Sequence, residues 1–158
     1  MKNLLLLLCC VALFSCNTKA QDKKEAKVYP ITKSDAEWKA ELSDEQYYVL
    51  RKAGTERPFS SPLNKIYEPG TYVCAACNTP LFEGKYKFDS GTGWPSFDRT
   101  IGDNVEYDVD YNLGYGRNEE HCATCGGHLG HVFDDGPRET TGKRHCINGD
   151  ALIFEPKE

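Results

Sequence analysis

Cys122-Ala123-Thr124-Cys125-Gly126-Gly127-His128-Leu129-Gly130-His131-Val132-Phe133 decides the fold, because two sulfurs one tight turn apart run directly into a segment that carries two imidazoles. A second Cys-x-x-Cys stands upstream at Cys74-Ala75-Ala76-Cys77, with forty-four residues between the two units. Two such turns can complete the tetrahedral four-thiolate shell that zinc favours. A metal there clips two remote parts of the chain together, and four sulfur ligands leave no position for a catalytic water. The expected cofactor is therefore a structural Zn2+ held by Cys74, Cys77, Cys122 and Cys125. Another metal such as iron, disulfides, and independent dithiol chemistry are the alternatives. Disulfides within each unit leave the match between the units unexplained, and a redox Cys-x-x-Cys normally sits at a strand-to-helix junction in a βαβ context that this sequence lacks. A Cys2His2 site using His128 or His131 would strand one cysteine pair.

Of the eight cysteines, Cys9, Cys10 and Cys16 lie near the N-terminus, so the rest of the chain holds the two pairs and a solitary Cys146. Lys143, Arg144 and His145 precede it, a positive neighbourhood that favours thiolate if the side chains converge. Cys146 is the candidate nucleophile; an inert, packed cysteine is the competing reading. In an extended segment Cys146 and Asn148 share a face while Ile147 turns to the core. His128 and His131 are acid or orienting groups for a thiol site, against a purely structural role. Asp135, in Asp134-Asp135-Gly136-Pro137, can orient an imidazole or cap backbone donors. The run Phe88 to Phe97 sets Trp94 and Phe97 among glycines and a proline, a rigid loop with large apolar faces. Trp94 there is either core or the wall of a small pocket for a methyl or thioether group, and Phe97 is the second candidate for substrate binding in the same loop.

The remaining sequence places these motifs. With 158 residues there is room for one modest domain, and 39% hydrophobic against 27% charged residues excludes a disordered polyelectrolyte or a multi-span membrane protein. A net charge of -5 gives no basic footprint for nucleic acid, so no nucleic-acid partner is expected. Ser34-Asp35-Ala36-Glu37 and Ser43-Asp44-Glu45-Gln46 have capping-box spacing and predict two short helices. Trp38 and Leu42 give an apolar pair on the first; Tyr47, Leu50 and Ala53 line a face of the second, which Gly54 would stop. From Arg57 onward helical periodicity vanishes, and 71–73, 86–88, 105–109 and 151–154 read as strands of a mainly β, antiparallel domain.

Lys2 precedes an apolar run from Leu4 to Phe14 that matches a secretory h-region and is too short to span a bilayer comfortably. Leu13-Phe14-Ser15-Cys16 resembles a bacterial lipoprotein processing box, although Phe14 is bulky for it. Cleavage before Cys16 with lipid on that cysteine, an ordinary cleaved signal ending at Ala20, and an uncleaved anchor stand as alternatives. The expectation is an exported, periplasm-facing membrane lipoprotein, with residues 1–27 as leader and polar tether and 28–158 as the folded domain.

From about Trp38 to Phe154 the chain resembles a methionine-R-sulfoxide reductase of the B class. The resemblance rests on Gly54 to Ser60, the two Cys-x-x-Cys units, Lys87 to Phe97, His128 to Phe133, Asp135-Gly136-Pro137, and Thr141 to Asn148 in that order. It implies a β-tent of two antiparallel sheets with flanking N-terminal helices, a structural zinc on the four cysteines, and no organic cofactor. Cys146 is implied as the catalytic cysteine, Trp94, His128, His131 and Asn148 as substrate-pocket residues, and Asp135 as a supporting acid. The implied substrate is methionine-R-sulfoxide within polypeptides, reduced through a Cys146 sulfenic acid that thiols then recycle. One departure stands out: many members carry a resolving cysteine where this chain has Thr92, so a thioredoxin-like protein or another external thiol is the expected reductant. Smaller departures are Gly149-Asp150 and His145, where an aromatic is frequent; His145 can tune the thiolate only if it does not alternate away from it. A zinc-stabilised binding module without reductase activity, and a dithiol-disulfide oxidoreductase using one Cys-x-x-Cys, are the competing functions.

Overall fold

A computed structural model describes residues 27–158. The expected signal segment, the Cys16 anchor and nearly all of the tether lie outside them. Among the described residues no helix is long and apolar enough to cross a membrane.

Both capping boxes form. In α1 (Asp35–Glu41) the Ser34 hydroxyl accepts from the Glu37 N–H while the Glu37 carboxylate accepts from the Ser34 N–H, and Ser43 with Gln46 repeats the exchange at α2 (Asp44–Lys52). Leu50 and Tyr47 pack against the core as expected, with Val49 buried beside them, while Ala53 ends the helix by taking the left-handed conformation at φ 51° in place of Gly54. Gly54 has a different reason to be glycine: a Cβ there would meet the Tyr48 ring at 2.3 Å.

Nine strands follow in chain order: β1 (Gly70–Cys74), β2 (Pro80–Glu83), β3 (Lys87–Phe88), β4 (Ser96–Phe97), β5 (Val105–Asp110), β6 (Arg117–Cys122), β7 (His128–Phe133), β8 (Arg144–Ile147) and β9 (Leu152–Pro156). They make a three-stranded sheet, β2-β1-β9, and a six-stranded sheet, β3-β4-β8-β7-β6-β5, with every pairing antiparallel. The expected architecture of two antiparallel sheets with short helices is the one found. The sheets meet through Tyr72, Phe82 and Phe97, all fully buried, with the Phe82 and Phe97 rings stacked at 4.4 Å and Tyr72 edge-on to Phe97 at 4.9 Å. Helix α2 lies against β7, and the Arg51 guanidinium reaches back to donate to the Cys125 carbonyl at 3.0 Å while stacking over Trp38, which is core as expected.

Candidate active site and metal centre

The two Cys-x-x-Cys units are the hairpin turns β1–β2 and β6–β7, one from each sheet. They are built alike. In each, the residue after the second cysteine adopts a left-handed φ, Asn78 at 57° and Gly126 at 68°, and donates its N–H to the carbonyl of the first cysteine at 2.8 Å. The four sulfurs face one another across the sheets: Cys74 Sγ is 3.7 Å from Cys125 Sγ, and Cys77 Sγ is 3.5 Å from Cys122 Sγ. A tetrahedron of zinc–sulfur bonds of about 2.3 Å has edges of about 3.8 Å, so these separations suit that ion and are far too long for disulfides. All five cysteines of the described residues are free. The group can hold a metal and is consistent with zinc.

Cys146 lies in β8 of the six-stranded sheet. It pairs with Ser96 of β4 on one flank and His131 of β7 on the other, and strand alternation puts Arg144 on its face while Ile147 is sealed in the core. Gly130 lets the strands approach: a Cβ there would strike the Cys146 carbonyl oxygen at 2.1 Å. A cavity of about 130 Å³ opens here, lined by Thr55, Trp94, Arg117, Gly130, His131, Phe133, Cys146 and Asn148. Trp94 contributes its indole, whose N–H donates to the Glu56 carbonyl at 3.2 Å. Glu56 in turn gives its backbone N–H to the Asn148 side-chain oxygen at 3.0 Å, so one residue fixes two walls of the cavity.

Three carboxylates organise the cationic and imidazole groups in the cavity wall and behind it. Asp135 grips Arg144 with both oxygens, at 2.8 and 2.9 Å. Asp110 accepts from Arg117 and from His131 Nε2, the latter at 3.0 Å. Glu119 accepts from His128 Nδ1 at 2.6 Å and from His121 Nε2 at 2.9 Å. Burial pushes the Cys146 thiol above its ordinary range, and the Arg144 charge and the Thr92 hydroxyl, 3.9 Å from Sγ, only partly offset it. The convergence that would favour thiolate is only partly met: Lys143 is drawn off to Asp134, His145 turns to the opposite face, and Arg144 reaches the sulfur. Burial likewise lowers His131, against the pull of Asp110, which leaves it a neutral ring at neutral pH. Glu119 is held far below the usual carboxylate range by the bonds from His121 and His128.

A match to the SelR domain covers residues 42–156. The chain belongs to the SelR family. Its relatives include a peptide methionine sulfoxide reductase MsrB of Chromohalobacter salexigens, 50% identical over 129 residues that cover 81% of this chain and 97% of the relative. Proteins of the same name from Agrobacterium fabrum and Methanosarcina barkeri are 51% and 52% identical over 127 and 129 residues, covering 80% and 81% of this chain and 93% and 90% of theirs.

In this SelR domain the residues singled out from sequence separate into three groups. Cys146, Trp94, His131 and Asn148 line the one cavity. Asn148 does so with its polar ends engaged, since Nδ2 donates to the Leu129 carbonyl at 2.9 Å while Oδ1 holds Glu56. His128 is not in the cavity wall but stands behind it, its ring edge-on to His131 at 5.5 Å. Its place beside His131 comes from a register shift at Glu120/His121 that sets His121 opposite His128, so Leu129 bulges and two residues three apart share a face. Two expectations are corrected. Phe97 is not a pocket wall: it pairs with His145, faces away from Cys146 and is fully buried in the aromatic core. Asp135 orients no imidazole; its carboxylate holds Arg144 and also takes a backbone hydrogen bond in its own turn. His145 is likewise no tuner of the thiolate; its Nδ1 bonds the buried Glu120 at 2.6 Å on the far face. Arg117, Asp110 and Glu119 escape a sequence reading because their partners are set by strand register, which the run of polar and charged residues at 117–120 does not reveal.

Proposed function

We propose that this SelR-family protein reduces methionine sulfoxide in peptides and proteins, taking the R epimer, with Cys146 as the nucleophile. The observation that carries the reading is the shared cavity: a partly exposed sulfur, an indole wall and a buried imidazole around a space sized for a methyl sulfinyl group. Trp94 and Phe133 supply the apolar surface for the S-methyl group. Arg117 lines the same space with its Nε buried and without a hydrogen-bond partner, a donor suited to the sulfoxide oxygen.

The first step starts from a protonated thiol and a neutral His131. As the Cys146 sulfur bonds to the sulfoxide sulfur, its proton passes to His131, whose imidazolium Asp110 stabilises, and from there to the oxygen. The S–O bond to methionine and the transient bond between the two sulfurs then break together as the hydroxyl moves to the cysteine sulfur, so the thioether leaves and Cys146 remains as sulfenic acid. Methionine sulfur gains two electrons and the cysteine sulfur loses two. An external thiol then attacks the sulfenic sulfur, releasing water and leaving a mixed disulfide, and a second thiol frees Cys146. Thr92, at 3.9 Å, has no sulfur to offer in that step. The external thiol is that of a thioredoxin-like protein or another thiol reductant. Zinc on the four cysteines ties the two sheets together and takes no part in the redox steps. The apolar run 4–14 and Cys16 support an exported, lipid-anchored protein of the cell envelope, which acyl labelling lost in Cys16→Ser would establish.

The test is a stereospecific assay on an oxidised peptide with dithiothreitol. Turnover of the R epimer by the parent and none by Cys146→Ser supports the function; no turnover by folded, zinc-loaded parent overturns it.

A further inference from the structure

We propose that Glu119, His121 and His128 form a second metal site, separate from the four cysteines, that takes one divalent first-row transition ion such as zinc. A carboxylate and two imidazoles converge there. Glu119 Oε1 is 2.6 Å from His128 Nδ1 and 2.9 Å from His121 Nε2, and all three ligand atoms lie within 4.8 Å of one another. Two bonds of about 2.1 Å meeting near a right angle at an ion leave their donor atoms about 3 Å apart, so an ion can enter with small side-chain rotations. Each ring then offers its lone pair by carrying its proton on the other nitrogen.

The backbone builds this arrangement. Glu119 and His121 are two apart on β6 and share a face, and the register shift that bulges Leu129 brings His128 of β7 directly opposite His121. On the other flank β5 sets Glu106 opposite His121 and Asp108 opposite Glu119, adding negative charge on the same face. Imidazole with carboxylate suits zinc, nickel or copper, whereas magnesium and calcium prefer all-oxygen shells. The side chains of His121 and Glu119 keep 21% and 16% of their exposure, so the ion enters from solvent and retains water in its remaining positions. The four-cysteine group is closed by comparison, with three of its sulfur-bearing residues buried. The proposal does not depend on the reductase reading, although the ion would sit behind the His131 wall of that cavity.

Equilibrium dialysis of the full chain, its cysteine site already filled, against micromolar Zn2+ decides it. The parent should take up one more zinc per chain than His121→Ala or His121→Asn, and Cys146→Ser should match the parent. An equal tightly held zinc content in all four proteins shows that the variants fold. Equal uptake by the parent and both His121 variants overturns the proposal, as does a fall of Cys146→Ser to their level, which would place the ion at the reactive thiol.

Discussion

Five cysteines occupy two regions of this domain, and their surroundings differ. At the sheet-to-sheet clip the four sulfurs have mainly one another for company, in two turns of matching geometry. At the cavity a single sulfur has beside it Arg144, held by Asp135, and His131 and Arg117, held by Asp110. The first arrangement converts sulfur into a cross-link, and the second keeps it uncommitted. On the proposed function, reactivity belongs to the isolated thiol, and the grouped sulfurs can hold a metal instead.

Damage to the two regions should therefore separate stability from chemistry. Cys122→Ser should remove the metal and cost on the order of 5 kcal/mol or more, enough to unfold much of a domain of this size, as read by zinc content and thermal melting. A variant that keeps its melting temperature without metal contradicts the structural role. Phe97→Ala comes next: a cavity among Tyr72, Phe82 and the sheets should cost about 3–5 kcal/mol in denaturant titrations. Its KM for an oxidised peptide should stay near the parent's, whereas Trp94→Ala should show the reverse pattern.

Arg144→Met tests the charge ring. The Cys146 thiol is raised by burial and pulled down by Arg144, so losing the cation raises it further. The curve of iodoacetamide reaction rate against pH should move to higher pH. For every whole pH step that it moves, the rate at pH 7 should fall about tenfold, and the two curves should converge once both thiols are ionised. An unmoved curve would show that the guanidinium does not act on the sulfur. Thr92→Cys should have the smallest effect on the first step and a clear effect on the product: a second sulfur close to Cys146 should capture the sulfenic acid as an internal disulfide, visible by peptide mass spectrometry.

Elements governed by local chemistry are legible in the chain. The two capping boxes, the matched cysteine turns and the Cys146/Asn148 face depend on residues a few positions apart, and all three stand in the structure. Other features require pairing between distant strands. β6 is not among the strands read from sequence because Arg117, Glu119 and Glu120 break apolar alternation, yet Glu120 is fully buried against His145. Phe97 looks like a pocket wall in sequence because β4 has only two residues, and which way each faces is fixed by β8 and not by its own pattern. Similarly, the bulge at Leu129 that gathers the histidines leaves no trace in their spacing.

The central claim is that Cys146 itself receives the oxygen. One turnover of methionine-R-sulfoxide by enzyme without added thiol, followed by dimedone trapping and peptide mapping, measures this directly. One methionine should be released per chain, with the dimedone adduct on Cys146 alone and the four metal-site cysteines unmodified. Methionine release with the oxidation appearing instead as a disulfide within the Cys74, Cys77, Cys122 and Cys125 group would contradict it.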